Sequence, residues 1–147
     1  MKLSTRARYG TRAILDLALH TDQGPVRLKD IAQRQEVPLQ YLEHLVAPLI
    51  AAGLVSSTRG PRGGLALVKR AEEIKLSQLV GILEGSTAPV ECITNPEVCS
   101  RSATCATRDL WSEMKDAIDG VMESHTLADL VERQKKKESL KAEMYFI

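Results

Sequence analysis

LQYLEHLVAPLIAAGLVSSTRGPRGGLALVK, residues 39–69, changes its periodicity halfway along. Up to Ala52 its apolar residues recur every three or four positions, with Leu42, Leu45, Val46 and Leu49 on one face, which predicts a helix from about Leu39 to Ala52. Gly53 ends that helix as a C-terminal cap, and Pro48 inside it is expected to kink or loosen it. Beyond Gly53, LVSST and LALVK read as two strands with RGPRGG as the turn between them. A helix with polar residues on its outer face, followed by a hairpin with arginines at its tip, is two thirds of a DNA-reading unit.

The remaining third lies just before it. LKDIAQRQ is a short helix with Leu28, Ile31 and Ala32 on one side, and EVPLQ turns the chain at Pro38. Two short helices joined by a tight turn make a helix-turn-helix, and the hairpin makes it winged. An arginine-tipped wing suits the narrow minor groove, where negative potential concentrates. An earlier helix, about Thr5 to His20, can be capped by Ser4 or Thr5 and is broken at TDQGP. After the wing, IKLSQLVGILEG gives a further helix with Leu76, Leu79, Val80 and Leu83 inward.

Downstream the pattern becomes a long helix from about Thr107 to Ser124, with Leu110, Trp111, Met114, Ala117, Ile118, Val121 and Met122 at helical spacing. A stripe outside the compact unit needs a partner, and a second copy of the same helix is the simplest one. The dimer is expected to join through Trp111, Met114, Ile118 and Val121. Thr126 and Asp129 form a capping box that restarts a helix, and KKK in the tail reads as a solvated face. The predicted fold is mainly α with a small β-wing: a winged helix-turn-helix over residues 1–84, a cysteine-bearing loop over 85–106, a dimerisation helix over 107–126, and a C-terminal helix and tail over 127–147.

Charge divides along the same lines. Residues 1–75 carry 12 Lys/Arg against 7 Asp/Glu, and residues 76–147 carry 8 against 12. Only the first half is built to meet a polyanion. Five aromatic residues in the chain are too few for the stacking platforms of single-strand binders, so double-stranded DNA is the expected partner. No nucleophile–base pattern and no phosphate loop is present, so no enzymatic activity is expected. The opening MKLSTRARYG lacks the apolar stretch of a signal peptide, and no apolar run is long enough to span a membrane. A cytoplasmic location without membrane contact follows as the expectation, and thiols stay reduced there.

All three cysteines lie in CITNPEVCSRSATC, residues 92–105, with spacing Cys-x6-Cys-x5-Cys. Three thiols on one polar loop suit a metal or redox site better than disulfides. Spacing alone leaves three alternatives open: an iron–sulfur cluster held by thiolates, zinc with a fourth nitrogen or oxygen ligand, or a bare thiol sensor.

The start MKLSTRARYGTRAILDLALH, the unit LQYLEHLVAPLIAAGLVSSTRGPRGG and the cysteine loop ending in CATRDLW together resemble the IscR/NsrR family of winged-helix transcription regulators, over about residues 1 to 132. The resemblance is greatest to its IscR members. It implies a homodimer reading a palindromic operator in response to iron–sulfur or redox status. It also implies an iron–sulfur cluster on Cys92, Cys99 and Cys105, of the 2Fe–2S type with 4Fe–4S as the alternative. Spacing and resemblance together put Gln40, Tyr41, Glu43 and His44 on the DNA-facing side of the recognition helix, with Arg59, Gly60, Pro61 and Arg62 at the wing tip. IscR-like proteins place a histidine three residues after the last cysteine as fourth ligand. This chain has Arg108 there, which stays protonated and cannot bind iron. NsrR-like proteins use a carboxylate from the partner's first helix, where this chain has Arg8. Asp109, Thr107, Glu91 and Glu97 are the local candidates, as is a ligand from outside the protein.

Overall fold

A computed structural model describes residues 2–146. Helix α1, Thr5–Leu19, opens on Ser4, whose hydroxyl accepts the Ala7 N–H at 3.1 Å. The backbone N–H and hydroxyl of Ser4 in turn donate to the Glu84 carboxylate, at 3.0 and 2.5 Å. Helix α2 is Leu28–Gln35 and α3 is Leu39–Ala51. Between them Glu36 takes a left-handed conformation, φ 54°, which makes the turn tight. Helix α3 runs on through Pro48 without a break; the missing N–H only leaves the His44 carbonyl without its helical donor. Gly53, at φ 76°, caps α3 as expected.

Strands β1, Val55–Thr58, and β2, Gly64–Leu67, pair antiparallel with Val55 opposite Leu67 and Thr58 opposite Gly64. Helix α4 is Leu76–Glu84. The cysteine segment is not plain loop: it holds a one-turn helix α5, Glu91–Thr94, and two 3-10 turns, Pro96–Val98 and Ser102–Thr104. The long helix α6 spans Ala106–Ser124. Helix α7 spans Leu127–Tyr145, so the charged run is helical nearly to the chain's end, and its Thr126–Asp129 capping box forms as the sequence predicts. The mainly helical architecture with a two-stranded wing is thus observed.

One core serves the whole reading head. Ile14 and Leu17 of α1, Ile31 of α2, Leu42, Leu45 and Leu49 of α3, Val55 of β1 and Ile74 and Leu79 around α4 are all essentially inaccessible. Leu127, from beyond α6, joins them at 0% exposure. A backbone seam puts it there: Leu127 N–H donates to the Ile74 carbonyl at 2.8 Å, and Leu76 N–H to the His125 carbonyl at 3.0 Å. Lys75 Nζ adds a bond to the Glu123 carbonyl at 3.0 Å. The core of the winged unit is therefore completed by residues on both sides of the cysteine segment.

The helix-turn-helix is fixed to α1 by one buried carboxylate. Asp16, 3% exposed, receives Arg34 Nε at 3.1 and 3.0 Å, Arg34 Nη2 at 2.6 Å and Gln35 Nε2 at 2.8 Å. This bonding holds the Arg34 guanidinium pKa above its ordinary value, and it satisfies a charge that would otherwise be costly to bury.

Candidate nucleic-acid interface and cysteine loop

Helix α3 presents a polar outer face, the one the sequence assigns to a duplex. Gln40, Glu43 and His44 are exposed on it. Among the described residues no side chain caps its first turn, which leaves early backbone N–H groups without an intrahelical partner. Tyr41 departs from the expected exposed placement. It is half-buried, with its ring edge-on to Tyr9 of α1 at 6.3 Å. Helical spacing puts it beside the polar face but cannot show that α1 supplies an aromatic neighbour there. Arg8 and Arg12 lie over the Tyr9 ring at 5.8 and 5.4 Å, which keeps two cations next to the start of α3. Arg12 also donates to Gln35 Oε1 and the Gln35 carbonyl, both at 3.2 Å. The signal for this basic ridge is present in RARYGTR, whose arginines flank Tyr9 at helical spacing.

At the wing, Arg59, Gly60, Pro61 and Arg62 are all exposed. Gly63 N–H closes the turn onto the Gly60 carbonyl at 3.0 Å. A Cβ on Gly63 would sit 2.1 Å from the Thr58 carbonyl oxygen, so only glycine permits this hairpin. Among the described residues neither wing arginine is paired with a carboxylate.

The cysteines are less converged than a ligand set requires. Cys92 is half-buried on α5, Cys99 is exposed, and Cys105 is half-buried at the start of α6. Among the described residues, no three His, Cys, Asp or Glu side chains gather in a way that could hold a metal ion. The expected trio is right in donor type for iron–sulfur ligation, but the loop as folded does not bring it together. The Thr107 hydroxyl, 3.1 Å from Cys105 Sγ, and the Arg108 N–H hold the Cys105 thiol pKa below its ordinary value, against an opposing push from the Asp109 carboxylate. The Arg108 side chain closes the loop instead of ligating, its Nε donating to the Cys92 carbonyl at 3.0 Å. The histidines are engaged or distant in role: His20 bonds the Asp16 carbonyl and His125 bonds the Val121 carbonyl, while His44 is exposed on α3.

Behind the loop, the Thr87 hydroxyl donates to Asp119 Oδ1 at 2.5 Å, and Lys115 pairs with the same carboxylate. Lys115 first and Thr87 second hold the Asp119 pKa below its ordinary value. A depressed folded pKa gives stability that is complete above the unfolded value and lost as pH falls through the folded one. Asp119→Asn should therefore lower the thermal midpoint at pH about 7, and the deficit should shrink as pH falls from about 5. An equal deficit at neutral and acid pH would show that the carboxylate charge is not what holds Thr87.

On α6 the expected stripe splits in two. Trp111, Met114, Ile118 and Met122 are half-buried, and Ile118 and Met122 line a cavity of about 420 Å³ with Leu3 and Pro89 of the same chain. Leu110 and Val121 stay open, at 51% and 62% exposure. Ile118 therefore shares its surroundings with residues of its own chain, whereas Val121 does not. Among the described residues no helix is long and apolar enough to cross a membrane.

Residues 3–133 match the family model Rrf2, described as iron-dependent transcriptional regulator. The chain is 47% identical over 131 residues to the protein Rrf2 of Nitratidesulfovibrio vulgaris strain Hildenborough, spanning 89% of this chain and 87% of that one. The structure of T. potens IscR is similar with a TM-score of 0.77 at 36% identity, covering 93% of this chain and 90% of that one. CymR, described as the global cysteine regulator of B. subtilis, is similar with a TM-score of 0.76 at 38% identity, covering 90% and 98%.

Proposed function

Because this chain belongs to the Rrf2 family of transcriptional regulators, we propose that it acts as a homodimer on a palindromic duplex, with α3 in the major groove and the wing in the minor groove. It is a DNA-binding regulator and not an enzyme, as its relatives are. The observation that carries the reading is the pairing of the exposed polar face of α3 with two wing arginines that, among the described residues, no carboxylate neutralises. Glu43, acidic beside a polyanion, would select sequence by accepting from cytosine. Arg59→Ala should weaken binding and make its salt dependence shallower by about 0.9 for each phosphate no longer neutralised. Unchanged affinity and slope would remove the wing from the interface.

The signal is read at the cysteine loop. Likeness to IscR proteins and the thiol donor set support an iron–sulfur cluster, and Cys92, Cys99 and Cys105 are the residues that would hold it. Such a cluster supplies iron reactive toward oxygen and nitric oxide. The chain's own part is to present three thiols just before α6 and to favour the thiolate at Cys105. Arg108, tied to the Cys92 carbonyl, leaves the fourth position to Asp109 or to a ligand from outside the protein. Protein prepared anaerobically with iron and sulfide should absorb in the visible, and any single Cys→Ala should abolish that absorption. A colourless product carrying zinc would overturn this reading.

A second reading has its own support. The cysteines that do not gather into a ligand set and the lowered Cys105 thiol fit a regulator that works through thiol chemistry with no cluster. In that case Cys105→Ser alone should abolish the response of DNA binding to oxidants.

A further inference from the structure

Arg27 stands one residue before α2, outside every motif read from the sequence. Its Nη2 donates to the Pro61 carbonyl at 3.1 Å, across 34 residues of chain. The residue beside it is equally fixed. Val26 and Leu65 exchange both backbone hydrogen bonds, at 2.8 and 2.7 Å, an antiparallel bridge that sets a one-residue third strand beside β2. A Cβ on Gly64 would lie 2.5 Å from the Val26 carbonyl oxygen, so the wing approaches this point backbone to backbone. Arg27 is also where α2 begins: its carbonyl accepts the Asp30 and Ile31 N–H groups, at 3.0 and 3.3 Å.

The wing is therefore pinned at two points by adjacent residues, along β2 at Leu65, the pair next to the turn-side end of the strands, by Val26 and at the turn itself by Arg27. A two-stranded hairpin is marginal on its own. With both pins in place it becomes a rigid extension of the helix-turn-helix, and its tip holds one position relative to α3. Arg59 and Arg62 flank the carbonyl that Arg27 grips.

We propose that Arg27 is a positioning residue for DNA recognition: it acts through Arg59 by fixing the wing tip against α2, and not by binding phosphate itself. The proposal rests on the wing reading given above. The probe is a duplex selected from random sequence by the wild-type protein. Binding of the full chain is measured over a salt series for wild type, Arg27→Ala, Arg59→Ala and the double variant.

Arg27→Ala should weaken binding about threefold to tenfold, the scale of one ordinary solvent-exposed hydrogen bond lost. In the Arg59→Ala background the same substitution should change neither affinity nor salt slope, because the group it positions is gone. Hydroxyl-radical protection of the minor groove under the wing should fade in Arg27→Ala, while protection of major-groove guanines under α3 persists. A fold made generally unstable would lose both. Additive losses, with a slope shallower by about 0.9 for the second substitution, would make Arg27 a phosphate ligand and overturn the proposal. Full affinity in Arg27→Ala beside a weakened Arg59→Ala would overturn it as well. An Arg59→Ala variant of wild-type affinity would instead remove the wing reading, and the proposal with it.

Discussion

Val121→Asp should leave the chain folded, turn a dimer into a monomer in sedimentation, and weaken binding to a duplex with two half-sites by about 100-fold or more. Val121 is 62% exposed and shares its side of α6 with Leu110, 51% exposed, and the exposed Ala117. Among the described residues nothing covers that strip. A charge there costs the monomer little, yet it would be buried in any assembly that pairs two α6 helices. The size of the loss comes from bivalency: two joined reading heads bind the second half-site at high local concentration, and separated heads do not. Ile118→Asp is the poorer probe, because Ile118 lines a cavity against Leu3 and Pro89 and its loss would unsettle the monomer too. A wild type that sediments as a monomer, or a Val121→Asp chain that stays dimeric, would refute α6 as the interface.

Leu127→Ala should cost about 2–5 kcal/mol, the range for truncating a fully buried leucine. The loss should appear in a single unfolding transition that includes α1 to α4. Leu127 is completely inaccessible and is held in place by its own N–H bond to the Ile74 carbonyl. By the same reasoning a chain ended at residue 84 would expose the underside of Ile74 and Leu79 and should be unstable in isolation. A Leu127→Ala protein with an unchanged denaturation midpoint would mean that the reading head closes its core without α7.

The contrast between Leu127 and Leu42 shows what sequence periodicity carries. Leu42, Leu45, Val46 and Leu49 announce a buried face because four apolar residues repeat at helical spacing, and Gly53 marks its end through a backbone shape other residues avoid. All four are buried. Leu127 is one apolar residue behind a capping box; the box is legible, but its docking site lies some fifty residues earlier in the chain. Arg27 is hidden for a similar reason, since a side chain gripping a carbonyl at Pro61 repeats nothing and breaks no pattern. Tyr41 sits at the border of the polar face of α3, and only the ring of Tyr9 decides that it turns partly inward. The cysteines are legible as a donor set but not as a geometry, because one-turn helices and 3-10 turns space thiols in ways that residue counts do not encode.

The seam between residues 74–76 and 125–127, together with the Thr87–Asp119 bond, joins α6 to the reading head at its far end and near its middle. Mechanically, α6 is then a lever arm and not a tether. In the proposed dimer two such arms would meet, and their junction would be a joint about which the heads can tilt. A helix of 19 residues is about 28 Å long at 1.5 Å per residue. A tilt of about 10° at that junction would move its end by about 5 Å, roughly one and a half base-pair steps at about 3.4 Å each. On that proposal, a small change where the cysteine loop enters α6 would be geared up into a misfit between the two wings and their half-sites, without any rearrangement inside either head.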